Sequence, residues 1–383
     1  MYVRRLESKT RVVVYVLSDL FPPLSKISYT ALPLSRYPSI LAPLSYLRGR
    51  LSQASPAKCD AWYMARNVDL CATVEGLFGL TDALFNVWNL AVASDCLSGS
   101  SLDENLQYTL RLPCITSRFT SSSFSTFSIA DPAELKPLGN KAFPLSQHGP
   151  KPQQDAPHPH QALLDPTGAF ILVPDLGADL VRIFKISGLD YTELDPLVVS
   201  SGSGPRHATF LATSDNIYMY LVSEIANTIT GYDVTYRNSS LHFDELFSIG
   251  THGPDGSVPN GTSAAEITLS PDKRFLIVSS RGENSHTIPN FDTNVTTEIV
   301  SDAIISFSID HSSGELSYLQ SFPSGGRVPR QFSINTAGDL VAVGLQSDSR
   351  VVVIERDVDT GLLKQFVASA AVAGEVTAVI FNE

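Results

Sequence analysis

The sequence predicts an all-β fold made of repeated antiparallel units, and three observations support this prediction. Gly and Pro, the strongest turn-forming residues, each occupy 24 of the 383 positions, whereas Met occupies 3. Apolar residues make up 43% of the chain and charged residues 17%, a composition typical of a globular protein with a sizeable core. The third observation is an internal repeat in the second half, in which every copy has a strand–turn–strand pattern.

The repeat begins at Pro157 and occurs four times. Each copy has a short apolar strand, a tight turn and a second apolar strand, with the turns at 165–168, 214–216, 270–273 and 335–338. Pro presets φ in two of these turns, and Asp or Asn can bond back to the backbone. A third apolar strand follows in each copy, at 180–184, 228–232, 303–307 and 351–354. A fourth, outer strand is indicated around 316–318.

The spacing of the turns fits a period of about 45 residues, which is typical of a four-stranded propeller blade. The last two intervals are longer because polar segments at 251–264 and 283–298 are inserted, and we interpret these as surface loops. A further strand at 375–381 is expected to complete a blade beside strands from the N-terminus. We therefore predict a seven-bladed β-propeller of four-stranded antiparallel blades, in which the N-terminal blades are degenerate or incomplete.

The blades expected before residue 157 are harder to delimit. Residues 37–42 have the pattern of a first strand, and 118–129 could supply the middle and third strands of another blade. Residues 74–93 fit a helix at least as well as a strand. We place the propeller at 59–383, with clear repeats from 157 to 383.

Residues 1–58 differ from the rest in charge. They are rich in Arg and Ser and poor in acidic residues, which is typical of a targeting segment. We expect this basic segment to be poorly ordered or targeting-like and not to pack into the propeller. A cytoplasmic location is favoured, while mitochondrial import and secretion stay open. Sequons at Asn238, Asn260 and Asn294 would matter only in the secretory pathway.

Charge and cysteine spacing exclude several classes of function. The net charge of −12 and the pI near 5.1 disfavour nucleic-acid binding. No run of 18 apolar residues is present, so no membrane-spanning helix is predicted. The four cysteines form no CxxC pair and no Cys/His ligand spacing, so we expect no zinc site.

Positions that correspond to one another in the four copies of the repeat carry different polar residues. They flank the first and second strands, where a purely structural repeat would favour one residue type, and they are His160, Arg206, His207, Glu224, Arg281, Arg330 and Gln346. The same count of eight residues before or after the turn also selects two apolar residues, Ala265 and Leu176. Arg binds carboxylates and phosphates bidentately, and Glu and His transfer protons. The alternative is structural: a solvated Pro-rich loop for His158 and His160, surface ion pairs for the arginines, and an ordinary loop carboxylate for Glu224.

A phosphate-binding loop motif is weak in this sequence, and a serine-hydrolase motif is missing. The loop at 201–204, Ser-Gly-Ser-Gly, is similar to a phosphate-cradling loop, but no P-loop Lys follows it. A G-x-S-x-G nucleophile motif is not present, so a serine hydrolase is unsupported.

Several short motifs together resemble one family. They are Pro157-His158-Pro159-His160-Gln161, Gly204-Pro205-Arg206-His207, Ser223-Glu224, Ser279-Ser280-Arg281-Gly282 and Pro329-Arg330. In this order they resemble the lactonase family of seven-bladed propellers, which includes 6-phosphogluconolactonases and fungal 3-carboxy-cis,cis-muconate cyclases. The resemblance covers roughly 157–383. One departure is Gln331, at a position where the family commonly has His.

The resemblance implies an enzyme that acts on a small anionic lactone or its open acid without a metal or cofactor. It implies catalytic roles for His160 and Glu224, and substrate binding by the residues His158, Arg206, His207, Arg281 and Arg330. Lactone hydrolysis and lactone-forming cyclisation both remain open. The alternative is a non-catalytic propeller that binds partners, and the oligomeric state is not predicted.

Overall fold

The structure is a computed structural model, and it describes residues 11–17, 114–118, 122–131, 134–187, 190–237, 240–254 and 256–382. Every regular element in these ranges is a β-strand, as the sequence predicted. Across the same ranges, no helix with the length and apolarity needed to cross a membrane occurs.

The strands follow one another in a regular series. In chain order they are β1 (Arg11–Leu17), β2 (Cys114–Arg118), β3 (Ser123–Asp131), β4 (Glu134–Ala142), β5 (Leu163–Leu164), β6 (Phe170–Asp175), β7 (Leu180–Ser187), β8 (Asp190–Val198), β9 (Pro205–Ala212), β10 (Ile217–Ser223), β11 (Thr228–Arg237), β12 (Ser240–Gly250), β13 (Ser263–Leu269), β14 (Phe275–Arg281), β15 (His286–Ile288), β16 (Ile299–Ser301), β17 (Ala303–Ile309), β18 (Leu316–Pro323), β19 (Pro329–Ile334), β20 (Leu340–Leu345), β21 (Arg350–Arg356), β22 (Leu363–Ala371) and β23 (Glu375–Asn382).

Consecutive strands form consecutive sheets, which is the blade pattern. Sheet A contains β2–β4, sheet B β5–β8, sheet C β9–β12, sheet D β13, β14, β17 and β18, sheet E β19–β22, and sheet F β1 and β23. Sheets B to E are the four predicted repeats, and each has the predicted third strand and a fourth, outer strand. The prediction of four-stranded blades is therefore confirmed in these sheets.

Two predicted segments differ from the structure. Residues 118–129 do not supply two strands, because most of them lie in the single strand β3, which pairs with β2 before it and β4 after it. The insertion at 283–298 is not only a loop, since its strand β15 pairs with β16 as a separate hairpin. The predicted segments 37–42 and 74–93 lie outside the described residues.

Sheet F joins strands from near the two ends of the sequence. β1 and β23 are antiparallel, with Arg11 opposite Asn382 and Leu17 opposite Glu375. This is the pairing that the sequence predicted for 375–381. It departs from the expectation that residues 1–58 lie outside the propeller, because seven of them form a blade strand; the other residues of that segment are not described.

Three of the predicted turns share one geometry. The last residue of each turn has a left-handed φ, which is 67° at Gly168, 61° at Lys273 and 77° at Gly338. In each turn the N–H of this residue bonds to the carbonyl of the first turn residue, at 2.8 to 2.9 Å. The repeated sequence pattern therefore corresponds to a repeated hydrogen-bond pattern between the first and second strands.

By internal contacts the described chain divides into two units, which we describe separately. The first unit comprises Tyr46–Arg206 and Tyr236–Ser240. Its core is aromatic: the rings of Phe124 and Phe184 lie 4.5 Å apart between their centroids. Phe143 and two aliphatic residues of β6 complete this cluster between sheets A and B.

The second unit comprises Met1–Ser45, His207–Thr235 and Leu241–Glu383. Its sheets are buried on both faces. On β14, Leu276 and Val278 pack with sheet C, whereas Ile277 between them packs with sheet E. Successive side chains of a strand point to opposite faces, so burial of both faces requires a continuous apolar run. This requirement explains why the second strands are continuous apolar runs in the sequence and do not alternate between apolar and polar residues.

Two polar side chains, one buried and one half-buried, fix the turns between second and third strands. Asp179, between β6 and β7, accepts the backbone N–H groups of Gly202 and Gly204 at 2.6 and 2.9 Å. In the second unit Asn227, between β10 and β11, donates to the carbonyl of Thr262 at 2.9 Å. Both interactions hold a loop that leads into the first strand of the following sheet.

The turn between β21 and β22 yields a stability prediction. Gly361 has φ 78°, and a Cβ at this position would overlap the ring of buried Phe275. We expect Gly361→Ala to lower the free energy of unfolding by about 3 kcal/mol, because overpacking adds to the left-handed backbone penalty. Denaturant unfolding of the purified protein measures this loss.

Gly261 is the matched control. Its φ is 88°, but a Cβ there would meet no atom within 4 Å. Gly261→Ala should therefore lose only about 1–2 kcal/mol, which is the backbone penalty alone. Equal losses for the two variants would contradict the proposed contact with Phe275.

Candidate functional site

Three of the sequence-predicted site residues belong to the first unit. His158 is mostly buried, and its Nε2 lies 2.7 Å from Oδ1 of the exposed Asp155. The backbone N–H of His160 bonds to the carbonyl of Pro174 at 2.9 Å, which fixes His160 just before β5. The structural alternative, a solvated Pro-rich loop, does not describe His158, since its side chain is mostly buried and bonded to Asp155.

Arg206 is the third of these residues, and its side chain is only 1% exposed. The loop before it contains Gly202 and Gly204, both with left-handed φ. Their N–H groups point to the carboxylate of Asp179, as described above. The similarity of 201–204 to a phosphate-cradling loop is therefore misleading, since these amides already bind a carboxylate of the chain.

The second unit brings Glu224, Arg281 and Arg330 together. Glu224 follows β10, Arg281 ends β14, and Arg330 is the second residue of β19, so the three residues come from three successive sheets. Arg281 Nη2 lies 2.8 Å from Glu224 Oε2 and also donates to the carbonyl of Ala264 at 2.9 Å. The side chains of Arg281 and Glu224 are 11% and 21% exposed, so the ion pair is mostly buried but open to solvent.

Arg330 is the electrostatic exception in this cluster. Burial, and next the positive charge of Arg281, lower the pKa of the Arg330 guanidinium, although Glu224 and Glu375 act in the opposite direction. Among the described residues, no hydrogen bond or ion pair to its guanidinium is present. A guanidinium stays protonated at any physiological pH. The cluster therefore contains a partly buried cation that makes no hydrogen bond or close ion pair within the described chain.

Glu375 completes the cluster on the side of sheet F. It begins β23, and its Oε2 accepts a hydrogen bond of 2.7 Å from Gln346 Nε2. Gln346 follows β20, at the repeat position that Glu224 has after β10. Sequence reasoning singled out Gln346 but not Glu375, because the repeat is incomplete in sheet F.

His207 forms a second acid–base pair. Its Nδ1 lies 2.9 Å from Glu266 Oε1, and both side chains are about one tenth exposed. Because a carboxylate only accepts hydrogen bonds, Nδ1 carries the proton and Nε2 can accept one when the ring is neutral. The pair can therefore act as a general base, in which the carboxylate of Glu266 orients the ring of His207.

Glu266 is a residue that the sequence-based counting missed. Counting eight residues back from Lys273 selects its neighbour Ala265, whereas Glu266 lies one residue further on, in the bulge between Ala264 and Ile267. The signal was present, however, since His207 and Glu266 begin the equivalent segments 207–210 and 266–269 of their repeats.

Gln331 is the third residue of β19, the first strand of the next repeat, and its amide group has a structural role. Its Oε1 accepts the backbone N–H of Val379 at 2.6 Å, and its Nε2 donates to the carbonyl of Phe332. The side chain therefore links β19 to β23. This link explains a glutamine at this position in physical terms: a backbone N–H requires an acceptor that is present at every pH.

A buried carboxylate supports the loop that follows Arg281. Glu283 accepts hydrogen bonds from His252 at 2.7 Å, Ser280 at 2.9 Å and Ser285 at 2.6 Å. Burial raises the pKa of Glu283, but these hydrogen bonds, led by that of His252, outweigh it and keep the pKa below its usual value. The loop beside the Glu224–Arg281 pair is thus fixed by an ionised side chain.

The arrangement in the second unit can bind an anion and transfer a proton. Arg330 and Arg281 supply positive charge, while Glu224 and the His207–Glu266 pair supply proton acceptors. No group of three or more His, Cys, Asp or Glu residues that could hold a metal ion occurs in the ranges that the structure describes.

Comparison with known proteins agrees with the strand order. The family described as "Lactonase, 7-bladed beta-propeller" matches residues 111–381. A protein of Arthroderma benhamiae named "Probable 6-phosphogluconolactonase" is 36% identical over 250 residues, which is 64% of this chain and 59% of that protein. The chain therefore spans about three fifths of the length of this relative.

Two further matches extend over similar lengths. A "6-phosphogluconolactonase" of Formosa agariphila is 27% identical over 272 residues, 70% of each chain. The crystal structure of a Lactobacillus plantarum protein has a TM-score of 0.59 at 26% identity and covers 70% of this chain and 71% of its own. Because the family match covers more than half of the sequence, the chain belongs to the lactonase family of seven-bladed β-propellers.

Proposed function

We propose that the chain is a lactone hydrolase that opens a small anionic sugar lactone, with 6-phosphogluconolactone as the first substrate to test. The observation that carries this proposal is the guanidinium of Arg330, which has no partner among the described residues and lies in the cluster of Glu224 and Arg281. A partly buried cation of this kind suits a phosphate or carboxylate. The names of the relatives from Arthroderma benhamiae and Formosa agariphila support the same class of substrate.

Lactone hydrolysis makes three demands on a site. The oxygen of a water molecule adds to the carbonyl carbon, the bond between that carbon and the ring oxygen breaks, and the ring oxygen takes a proton. A base must accept the proton of the water, and a donor must return one to the leaving oxygen. Positive charge must stabilise the oxygen anion that forms at the carbonyl.

The residues of the second unit can be matched to these demands. Glu224 is the proposed base, because its carboxylate is oriented by Arg281 and is still partly exposed. Arg330 is proposed to hold the phosphate of the substrate, and Arg281 to balance charge at the reacting end. The His207–Glu266 pair is a second candidate for the base.

The family resemblance assigns proton transfer to His160 as well, and anion binding to His158 and Arg206. These assignments stay predictions, and variants of all three belong in the same assays. We propose a reaction without a metal or cofactor, so activity should persist in EDTA. The cytoplasmic location expected from the sequence also stays a prediction.

Arg330→Ala tests the anion-binding role. We expect kcat/KM for 6-phosphogluconolactone to fall roughly 30-fold or more, because losing one partner of a buried charge pair removes about 2–5 kcal/mol. The same variant should lose little with δ-gluconolactone, which has no phosphate. Steady-state assays with both lactones measure the difference.

Arg274→Ala is the control for this experiment. Arg274 is half exposed and pairs with Asp272 at 2.9 Å on the surface, so its removal should leave both activities unchanged. Equal losses of Arg330→Ala on both lactones would place Arg330 at the lactone ring and overturn its assignment to the phosphate.

Glu224→Gln tests the proton-transfer role. The amide keeps the shape of the side chain but cannot take a proton, so kcat should fall roughly a hundredfold or more. Binding of the product 6-phosphogluconate, measured by calorimetry, should persist. Glu355→Gln is the control, since the carboxylate of Glu355 accepts a hydrogen bond from Gln365 on an exposed part of sheet E.

The outcomes separate the classes of function left open by the sequence. Activity on carboxymuconate but on neither lactone would favour the cyclase. No activity on any of these substrates, with a folded wild-type protein, would favour a binding scaffold. A wild-type rate for Glu224→Gln would transfer the role of base to His160 or to His207, whose alanine variants are assayed in parallel.

A further inference from the structure

Asp302 is a fully buried carboxylate that neither the sequence motifs nor the proposed reaction uses. It lies between β16 and β17, and it accepts three backbone hydrogen bonds. Oδ2 accepts from Gly282 at 2.9 Å and from Val328 at 2.7 Å, and Oδ1 accepts from Asn284 at 2.8 Å. One side chain therefore joins two loops that are far apart in sequence.

The three donors share an unusual backbone conformation. The φ angle is 78° at Gly282, 50° at Asn284 and 60° at Val328. Glycine adopts this left-handed region without penalty and asparagine tolerates it, but a β-branched residue such as Val is a true outlier there. Such strain persists only where the surrounding structure determines it, and it is concentrated at functional sites.

Each of the two loops carries an arginine of the candidate site. Gly282 follows Arg281 directly, and Val328 lies two residues before Arg330. The carbonyl of Val328 accepts the N–H groups of Arg330 and Gln346, at 2.8 and 2.9 Å. The conformation of Val328 therefore determines where the backbone of Arg330 begins its strand.

The residue before Asp302 strengthens the same link. Ser301 is fully buried, and its Oγ accepts the N–H groups of Gly325 and Gly326 at 3.1 and 3.2 Å. Asp302 itself pairs through its backbone with Gly326 and Ser324. Two buried side chains that directly precede β17 therefore hold the segment that leads into β19.

We propose that Asp302 is a positioning residue that holds Arg281 and Arg330 in the arrangement that binds the substrate anion. In this inference, the identity of the anion rests on the proposed function. The claim that Asp302 holds the two loops does not. A carboxylate that merely closed a turn would affect stability alone. Asp302 should in addition set the affinity of the site for an anion.

Two substitutions of Asp302 give a graded test. Asparagine keeps the volume, and its one oxygen can replace Oδ2, but its NH₂ group would then face the N–H of Asn284. Asp302→Asn should therefore expose the Asn284 amide to hydrogen exchange, while Asp302→Ala should expose all three amides. Hydrogen exchange followed by mass spectrometry on peptides covering 281–285 and 326–330 measures this pattern.

The affinity of the site is the second readout. Calorimetry with 6-phosphogluconate should show binding weakened by roughly tenfold in Asp302→Asn and by up to about a hundredfold in Asp302→Ala, because small misplacements of binding groups have large effects. Adding Val328→Gly to Asp302→Ala should recover part of the affinity, since glycine adopts the left-handed conformation without support. A purely structural role predicts no such recovery.

Asp357→Asn is the matched control. Asp357 also accepts two backbone N–H groups, those of Asp359 and Thr360, but in the exposed turn between β21 and β22. Its variant should bind 6-phosphogluconate as the wild type does. Asp302→Asn serves as the informative variant where Asp302→Ala does not fold.

The outcomes are distinct from those of the proposed function. Unchanged amide exchange in both Asp302 variants would overturn the inference, and so would wild-type affinity in variants whose amides have become exposed. A wild-type protein that binds no 6-phosphogluconate would overturn the proposed function together with the anion-binding half of the inference. The exchange pattern would still decide whether Asp302 holds the two loops.

Discussion

The loops between sheets depend on buried side-chain oxygens that satisfy backbone N–H groups. A loop that leaves one sheet and enters the next has no ladder partner, yet a buried amide without an acceptor is costly. Asp179 provides this acceptor in the first unit and Asp302 in the second, and Asn227 provides the corresponding donor. Each of them directly precedes the third strand of its sheet, so the same solution recurs with the repeat.

Because side-chain oxygens hold these loops, the backbone is fixed independently of the side chains proposed to carry out the chemistry. The repeat fixes the backbone position that follows a second strand, and the side chain at that position is then free to vary. It is apolar and buried at Leu176, acidic at Glu224 and amide-bearing at Gln346. Glu224 and Arg281 are ion-paired, whereas the guanidinium of Arg330 has no hydrogen bond or ion pair within the described chain, and this difference is why we propose Arg330 as the residue that binds the substrate anion.

Local patterns allowed most of the fold to be predicted from the sequence, and part of the site. Continuous apolar runs and turns such as 165–168 identify sheets B to E, because these features depend on neighbours in sequence. The pairing of His207 with Glu266 could not be predicted, because the two side chains come from different sheets. The role of Asp302 could not be predicted either, because its partners come from two distant loops. A repeat reveals equivalent positions, but not which of them form hydrogen bonds across sheets.

Sheet F determines when folding can be completed, because it is the last sheet to form. β1 and β23 come from near the start and near the end of the sequence, so their pairing closes a very long chain loop. Contacts of such high sequence separation form late, after the entropy of loop closure has been offset by other structure. Sheets B to E can form as each is synthesised, but sheet F must wait until β23 has left the ribosome. Until then, the apolar face that sheet E presents to β23 stays uncovered, and this face is where a chaperone or a wrong partner would bind first.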